Sequence, residues 1–256
     1  MNLPLFLVFN GVWYNNYMQI IQSNLLNTFS NLTHGFTTKK NGNLAFHVGD
    51  NLKNVINNHV ELSCNLSYDK NSLIYMKQIH SNIVHIVNND DNFEHPPTCD
   101  ALITNKINTP LMVMVADCTP ILFYDDVQRV IAVAHSGRAG TFGNIIKNVL
   151  ESFVNNFHSN IADIYVSVGP SICQNCYEVG EEIYQEAKEL RLDYAIKKRE
   201  KKYFLDIKKI LKTQLKEVKV EHFEISDECN ACLHDKYFSY RKEGVTGRFA
   251  GVIELT

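Results

Sequence analysis

Short, almost wholly apolar runs alternate with longer stretches of helical periodicity, and this alternation constrains the fold more than any other feature of the chain. The apolar runs occupy residues 83–87, 101–104, 111–116, 121–124, 130–134 and 164–168. Several are apolar at consecutive rather than alternate positions, which predicts strands buried on both faces. Helices must then cover those faces. The sequence therefore predicts an α+β fold of mixed β-sheets covered by helices.

Three stretches carry apolar residues at helical spacing. The clearest covers residues 142–157, with Thr141 in place for an N-cap. A second helix is predicted over residues 181–190, and a third after Asp206, whose side chain can cap it. Because the chain has no repeat and no linker rich in Pro, Gly and Ser, we expect one catalytic domain at residues 18–256. Residues 1–17 lack clear periodicity and are expected to form a poorly packed extension.

Composition bounds the partners and the compartment. A net charge of −3 argues against nucleic acid as a partner, and no apolar run reaches the length that spans a bilayer, so no membrane association is expected. The apolar start has neither a preceding Lys or Arg nor a small-residue cleavage site, so a secretory signal is not expected. Seven cysteines, four of them in two C-x-x-C pairs, suit metal or redox work in a reducing compartment. We expect a cytoplasmic monomer.

Potential metal ligands stand at the ends of three predicted strands. His80 precedes the strand at 83–87, Cys118 follows the strand at 111–116, and His135 follows the strand at 130–134. If those strands are neighbours, two imidazoles and one thiolate converge, which is the composition of a catalytic zinc site with an open position. A single His or Cys near a strand end is more often a packed residue, and no compact motif such as H-E-x-x-H is present. From the residues alone both interpretations stay open.

A second metal signal comes from the two C-x-x-C pairs. Cys173 and Cys176, taken with Cys229 and Cys232, have the composition of a structural zinc site with four thiolate ligands. The stretch between the pairs is far longer than in a zinc ribbon and carries two helical patterns, which argues against such a site. Buried or incidental thiols are the alternative.

Anion binding has candidates in Lys39, within a Lys-Lys-Asn-Gly turn, and in Arg138, Arg241 and Arg248. Guanidinium groups suit oxyanions, although surface ion pairs are the commoner use of such residues. The chain has no phosphate-binding P-loop, no dinucleotide fingerprint and no nucleophile elbow of a serine hydrolase.

Several short motifs follow one another in a fixed order over residues 30–254. The motifs are Gln78-Ile79-His80-Ser81, Cys99-Asp100-Ala101-Leu102-Ile103-Thr104, Ala116-Asp117-Cys118-Thr119-Pro120, His135-Ser136-Gly137, Gly169-Pro170-Ser171-Ile172, Cys176-Tyr177-Glu178-Val179-Gly180, and Phe238-Ser239-Tyr240-Arg241 with Thr246-Gly247-Arg248. This series resembles that of the YfiH-like proteins, also called the multicopper polyphenol oxidoreductase or laccase-domain family, which are regarded as purine nucleoside phosphorylases.

The resemblance implies a single domain with layers in the order α/β/β/α and an active-site zinc ion bound by His80, Cys118 and His135. It implies phosphorolysis of adenosine, inosine, guanosine or methylthioadenosine to the base and a pentose 1-phosphate. Adenosine deamination is implied as a second activity. Purine nucleosides and phosphate are then the expected partners.

The same resemblance guides the choice of other site residues. Asp117, next to a ligand, is the candidate for orienting the site or transferring a proton, and Lys39, Arg241 and Arg248 are the candidates for binding phosphate. Lys39 stands where relatives carry an Arg, so the bidentate fork is lost and phosphate affinity can differ. The usual His-Ala-Gly-Trp-Arg-Gly reads His135-Ser136-Gly137-Arg138-Ala139-Gly140 here, which puts the role of that Arg in doubt.

Two rival functions stay open at this point. One is copper-dependent oxidation of polyphenols, for which His and Cys are suitable ligands. Against it, the ten histidines are scattered singly along the chain. The other is a non-enzymatic zinc-binding or peptidoglycan-editing factor that uses the C-x-x-C pairs. The resemblance itself implies that Cys176, Cys229 and Cys232 flank the active site without a structural zinc.

Overall fold

The computed structural model describes residues 7–9, 12–14 and 19–256, which form fourteen strands and six α-helices. In chain order the strands are β1 (Leu7–Phe9), β2 (Val12–Tyr14), β3 (Leu32–Phe36), β4 (Val84–Ile86), β5 (Ala101–Thr104), β6 (Leu111–Val115), β7 (Thr119–Asp125), β8 (Val130–Ser136), β9 (Ile164–Val168), β10 (Glu178–Val179), β11 (Ile196–Arg199), β12 (Lys202–Leu205), β13 (His222–Ile225) and β14 (Phe249–Leu255). The helices are α1 (Leu52–Leu66), α2 (Arg138–Phe142), α3 (Ile145–Phe157), α4 (Glu181–Glu189), α5 (Ile207–Glu217) and α6 (Tyr240–Glu243).

Two sheets face each other at the centre. The larger has six strands in the order β13-β9-β7-β8-β5-β4, with parallel pairs at its two edges and antiparallel pairs between them. The smaller is antiparallel, with β14 between β3 and β6. Apolar side chains of the two inner faces form one buried core, which includes Leu122 and Val133 from the larger sheet and Val113 and Ile253 from the smaller. This core covers the inner face of each central strand.

Helices cover both outer faces. On the larger sheet, α3 and α5 contribute buried residues such as Phe153 and Leu211 to a core shared with Phe123. On the smaller sheet, Leu62 of α1 packs in a core with Val252 of β14. The layer order α/β/β/α is confirmed, and so are the six predicted strands, whose observed ends lie within two residues of the predicted ones.

Two smaller elements lie outside these layers. Strands β10, β12 and β11 form a third, antiparallel sheet, and β1 pairs with β2. Apart from the backbone of that pair, the extension predicted for residues 1–17 lies outside the described residues, and the division at residue 18 stays a prediction. No helix in the described part of the chain is long and apolar enough to cross a membrane.

One predicted helix begins later than expected. The stretch predicted over 142–157 is split, because Asn144 adopts a left-handed conformation with φ 53° and caps α3 by accepting from the Lys147 N–H at 3.2 Å. Thr141 instead lies inside the short helix α2, where its hydroxyl donates to the Gly137 carbonyl at 2.8 Å. The N-cap predicted at Asp206 is confirmed, since its carboxylate accepts from the Lys209 N–H at 3.0 Å.

Candidate active site

The three residues predicted as metal ligands lie together at one end of the sheets. Their ligand atoms are all within 4.8 Å of one another, and the Cys118 Sγ is 4.0 Å from the His80 Nε2. The two imidazole rings meet edge to face, with centroids 4.8 Å apart. His80 is exposed and His135 is buried, with Cys118 between these extremes. The set is therefore reachable from solvent on one side.

Strand pairing places Cys118 beside His135. In the antiparallel ladder of β7 and β8, Pro120 lies opposite His135 and Thr119 lies opposite Ser136. Cys118 directly precedes β7, so its thiol faces the end of β8. The close approach needs Gly137, because a Cβ at that position would lie 3.0 Å from the His80 Cδ2 and 3.1 Å from the Cys118 Sγ.

Asp100 connects the other two ligands, and the sequence did not single it out as a site residue. This buried carboxylate accepts hydrogen bonds from the backbone N–H groups of Ile79, His80 and Ser81 at 3.3, 3.1 and 2.6 Å, and from the Ser81 hydroxyl at 2.7 Å. The Nδ1 of His135 donates to it at 2.7 Å. One side chain thus fixes the loop that carries His80, where φ is 59°, and the ring of His135. Its place directly before β5, within a recognised motif, was the only signal for it.

The contact with Asp100 also settles which nitrogen of His135 faces the cavity. Because Nδ1 donates its hydrogen bond to Asp100, Nε2 is the nitrogen left for a metal ion, which would take the place of any proton there. Burial opposes ionisation of Asp100, but the hydrogen bonds from His135 and Ser81 prevail and hold the pKa of its carboxyl at about 2. Asp100 is therefore a permanent anion behind the site.

The Cys118 thiol is prepared for ionisation. Burial alone would raise its pKa, but the positive charge and hydrogen bond of His135, together with His80, lower the pKa to about 6. For His135, burial lowers the pKa, whereas the Cys118 thiolate and Asp100 raise it to about 9. A thiolate and two imidazoles are the donors that zinc prefers, so the donor set fits a single zinc ion.

A cavity of about 720 Å³ opens beside the three ligands. This volume is in the range of sites for small molecules. Besides the ligands, its walls contain the predicted site residues Asp117, Arg241 and Arg248. Its aromatic lining residues are Phe46, His47, Tyr75, Tyr177 and Tyr240. The cavity therefore combines potential metal ligands, three guanidinium groups (Arg138, Arg241 and Arg248) and flat apolar surface.

Asp117 has both carboxylate oxygens engaged. Oδ1 accepts from the Ser239 hydroxyl at 2.7 Å and Oδ2 accepts from the Arg241 backbone N–H at 2.6 Å. Burial raises the pKa of Asp117, while these two hydrogen bonds oppose that shift. The backbone of Asp117 is itself left-handed, with φ 83°. These contacts fix the start of α6, which carries Arg241, against the cavity.

The basic candidates are placed differently from one another. The guanidinium of Arg241 donates to the Glu178 carbonyl at 3.0 Å, and that of Arg248 donates to the Thr246 and Gly247 carbonyls at 2.8 and 3.0 Å. Each keeps further N–H groups for a ligand, since a guanidinium has five. Lys39 does not line this cavity.

Lys39 is held elsewhere by its own partners. Its ammonium pairs with Glu243 and donates to the His234 carbonyl at 2.5 Å. The phosphate-binding role assigned to it stays a prediction that no contact with the cavity supports. Arg138, another anion-binding candidate from the sequence, does line the cavity and pairs with Glu186.

Comparison with known proteins agrees with this architecture. The family model described as multi-copper polyphenol oxidoreductase laccase matches residues 28–256. The chain belongs to this family. Among relatives of this laccase-domain family, a Clostridium acetobutylicum protein named purine nucleoside phosphorylase is 35% identical over 215 residues, which are 82% of this chain and 85% of the relative.

Two further proteins that resemble this chain bear on fold and activity. The crystal structure of YfiH from Bacillus licheniformis superposes with a TM-score of 0.84 at 28% identity, covering 95% of this chain and 96% of that one. A protein named adenosine deaminase RL5, from an unknown prokaryotic organism, is 30% identical over 225 residues, 82% of this chain and 86% of its own length. The resemblance stated from the motifs is confirmed.

The family's description as multi-copper is not matched by clustered histidines in this laccase-domain chain. Within the described residues, two groups of His, Cys, Asp or Glu side chains are close enough to share an ion. One is the set of His80, Cys118 and His135, and the other consists of cysteines alone. Neither has the paired histidine clusters that several adjacent copper ions need.

Proposed function

We propose that the chain is a zinc-dependent purine nucleoside phosphorylase. It would convert adenosine, inosine, guanosine or methylthioadenosine and phosphate to the free base and a pentose 1-phosphate, with adenosine deamination as a second activity. The observation that carries the proposal is that the potential zinc ligands share one cavity with Arg241 and Arg248. The names of two relatives, purine nucleoside phosphorylase and adenosine deaminase, point to the same chemistry.

Phosphate binding is assigned to the two arginines. In phosphorolysis an oxygen of phosphate forms a bond to C1′ of the sugar while the bond from C1′ to the base nitrogen breaks, and the electron pair leaves with the base. Guanidinium groups bind a phosphate through paired N–H donors and keep its charge close to the sugar. Asp117 orients Arg241 through its backbone N–H, which makes Asp117 a positioning residue. This arrangement favours orientation over proton transfer, since both Asp117 oxygens already accept hydrogen bonds.

The purine is assigned to the aromatic part of the cavity. Phe46 and Tyr75 lie with ring centroids 6.0 Å apart, and Phe93 packs against both. Such a wall binds a flat heterocycle through apolar contact and ring stacking, and it excludes water from the reacting bond. A cavity of about 720 Å³ has room for a nucleoside and a phosphate together.

Zinc would be held by His80, Cys118 and His135. When bound, it supplies a Lewis acid with a position left open for an oxygen of the reactants. Asp100 keeps the His135 proton on Nδ1 and holds the His80 loop in place. We further propose that the enzyme works as a monomer in the cytoplasm, where its seven cysteines would stay out of disulfides.

The test is an assay of purified protein with adenosine or inosine, with and without inorganic phosphate. We expect base and pentose 1-phosphate in equal amounts, formed only with phosphate, and hypoxanthine or inosine from adenosine where deamination occurs. His80→Ala should lower the rate at least a hundredfold, whereas His85→Ala, which changes a histidine paired with Asp91 outside the cavity, should not. Release of the base at the same rate with and without phosphate, or an unchanged rate for His80→Ala, would show that the proposal is wrong.

Polyphenol oxidation is tested alongside, because the family's description names it. The protein is loaded separately with zinc and with copper, and each form is assayed with a laccase dye and with nucleoside plus phosphate. We expect nucleoside turnover by the zinc form and no dye oxidation that depends on His80. Dye oxidation by the copper form at enzyme-like rates, with no nucleoside turnover by either form, would favour the oxidase instead.

A further inference from the structure

The two C-x-x-C pairs come together in space although Cys173 and Cys229 are 56 positions apart in sequence. The four sulfurs of Cys173, Cys176, Cys229 and Cys232 all lie within 4.8 Å of one another. The Sγ of Cys232 is 3.9 Å from that of Cys173 and 3.4 Å from that of Cys176. The length of the intervening stretch was the argument against a shared site. It folds into β10, α4, β11, β12, α5 and β13 and returns the second pair to the first.

These separations suit one metal ion. Four thiolates at the zinc–sulfur bond length of about 2.3 Å form a tetrahedron with edges of about 3.8 Å. A disulfide needs sulfurs at about 2.05 Å, closer than either of those two separations. A cluster of several irons would hold four thiolates farther apart than a single ion does. The spacing therefore matches a mononuclear tetrathiolate site.

Backbone hydrogen bonds in the two turns are directed at sulfur. The N–H groups of Cys173 and Cys232 both donate to the Cys229 Sγ, at 3.2 and 3.4 Å. In the other pair, the Cys176 N–H donates to the Cys173 carbonyl at 3.0 Å, which closes a tight turn. N–H donors stabilise a thiolate more than a thiol, because the charged acceptor forms the stronger hydrogen bond. Cys229 is thereby prepared for the charged form that a metal requires.

A half-buried cation, the Lys208 ammonium, lies next to the cluster. The Lys208 ammonium donates to the carbonyls of Ser226 and Glu228, at 2.6 and 2.8 Å, on the segment that leads into the second pair. It interacts electrostatically with Cys229 and Cys173. A divalent ion with four thiolates carries two net negative charges, and a nearby ammonium offsets part of them. Ile172 and Ala231 add buried apolar surface at the base of the cluster.

We propose that Cys173, Cys176, Cys229 and Cys232 bind a structural zinc ion, separate from the active-site ion. Its closed set of four protein ligands leaves no position for a reactant, as in structural zinc sites generally. The ion would fasten the segment 169–180 to the segment 226–239, which runs between β13 and α6 as a succession of turns. Tyr177 on the first segment and Arg241, just beyond the second, both line the cavity. The inference does not depend on the proposed nucleoside chemistry.

The first measurement is the zinc content of the purified protein by elemental analysis. We expect two equivalents per chain in the unchanged protein, one for each cluster. His80→Ala should keep one equivalent, and the double variant Cys229→Ser/Cys232→Ser should also keep one. Cys64→Ser, which removes a free and exposed thiol from α1, is the matched control and should keep both. Zinc content that is unchanged in the double variant, or absent from His80→Ala, would overturn the proposal.

A second measurement keeps the test decisive if the double variant does not fold. In the unchanged protein, we expect the four cluster thiols to resist a thiol reagent until a strong chelator is added, while the Cys64 thiol reacts at once. Cobalt(II) bound to His80→Ala should give the intense thiolate-to-metal absorption of a four-sulfur tetrahedral site. A native mass lower by four hydrogen atoms, or immediate reaction of all four thiols, would show disulfides or unligated thiols and refute the site. Loss of nucleoside turnover with both zinc ions present would count against the proposed function alone.

Discussion

Replacing Asp100 by asparagine is expected to lower the zinc affinity of the His80, Cys118 and His135 site by about 10- to 100-fold. The two carboxylate oxygens of Asp100 accept from different groups. Oδ1 accepts from the His80 N–H and the His135 Nδ1, and Oδ2 accepts from the Ile79 and Ser81 N–H groups and the Ser81 hydroxyl. An asparagine keeps one acceptor and turns the other into an NH₂ donor, so one of these two sets must face a donor.

Each orientation of that asparagine has its own penalty. If the NH₂ replaces Oδ1, His135 can accept from it only by moving its own proton to Nε2, which blocks the nitrogen that a metal needs. If the NH₂ replaces Oδ2, two N–H groups of the His80 loop lose their acceptor, at about 1 to 3 kcal/mol for each one that stays buried. A 10- to 100-fold loss of affinity corresponds to about 1.4 to 2.7 kcal/mol. The first orientation lowers mainly the zinc affinity, and the second lowers mainly the free energy of unfolding.

The assay is zinc competition against a fluorescent chelator, with the zinc that His80→Ala retains subtracted as the contribution of other sites. Asp125→Asn is the matched control, because Asp125 is also fully buried and accepts from two backbone N–H groups, those of Val127 and Gln128, both at 2.9 Å. Both N–H groups donate to Oδ1, so an asparagine oxygen can keep both hydrogen bonds, and the zinc affinity should be unchanged. If Asp100→Asn binds zinc within twofold of Asp125→Asn, then Asp100 does not select the tautomer of His135 and the reasoning fails.

Three further outcomes follow from local geometry. Burial raises the pKa of Glu254 from 4.5 to about 7, so the folded state favours the protonated carboxyl; the resulting stability is complete below pH 4.5 and is lost as pH rises through 7. Glu254→Gln should therefore raise the free energy of unfolding, measured by urea titration, by about 2 to 3 kcal/mol at pH 8 and change it little at pH 4. Gly137→Ala should reduce zinc affinity at least tenfold with little change in melting temperature, because its methyl group meets His80 and Cys118; full zinc retention would contradict this. Asn144→Ala should cost about 2 kcal/mol of unfolding free energy through loss of the cap and left-handed strain, and Asn144→Gly less; equal losses would argue against the strain.

The sequence predicted the strands that are buried on both faces. Strands β5 to β9 are apolar at consecutive positions because both faces are covered, and this pattern alone located them. Helix α1 was missed because the stretch is rich in Asn and polar on most of its surface, although Asn51 caps it by accepting from the Lys53 N–H at 2.9 Å. The break before α3 was missed because an apolar stripe continues across it, whereas the left-handed Asn144 that causes it leaves no periodic signal.

The sequence also predicted some residues of the candidate site and missed others. His80, Cys118 and His135 could be nominated from their positions at strand ends, but their convergence depends on β7 and β8 being neighbours, which periodicity does not encode. Asp100 was missed because its partners are backbone N–H groups and a histidine 35 positions away. Lys39 was nominated from its charge and a resemblance, while its actual partners, Glu243 and His234, are about 200 positions distant.

A backbone hydrogen bond links the segments that carry the two sets of potential metal ligands. The Ile172 N–H donates to the Asp117 carbonyl at 3.0 Å, and each of these residues directly precedes a ligand, Cys173 on one side and Cys118 on the other. Strand ends carry Cys118 and His135, so the cores on both faces of the larger sheet already hold them rigidly. Tyr177 and Arg241 lie outside the two central sheets, Tyr177 just after a turn and Arg241 in the short helix α6. A zinc ion bound by the four cysteines would hold the turns that carry them together. Asp117 accepts from the Arg241 N–H and would thereby couple those turns to the cavity.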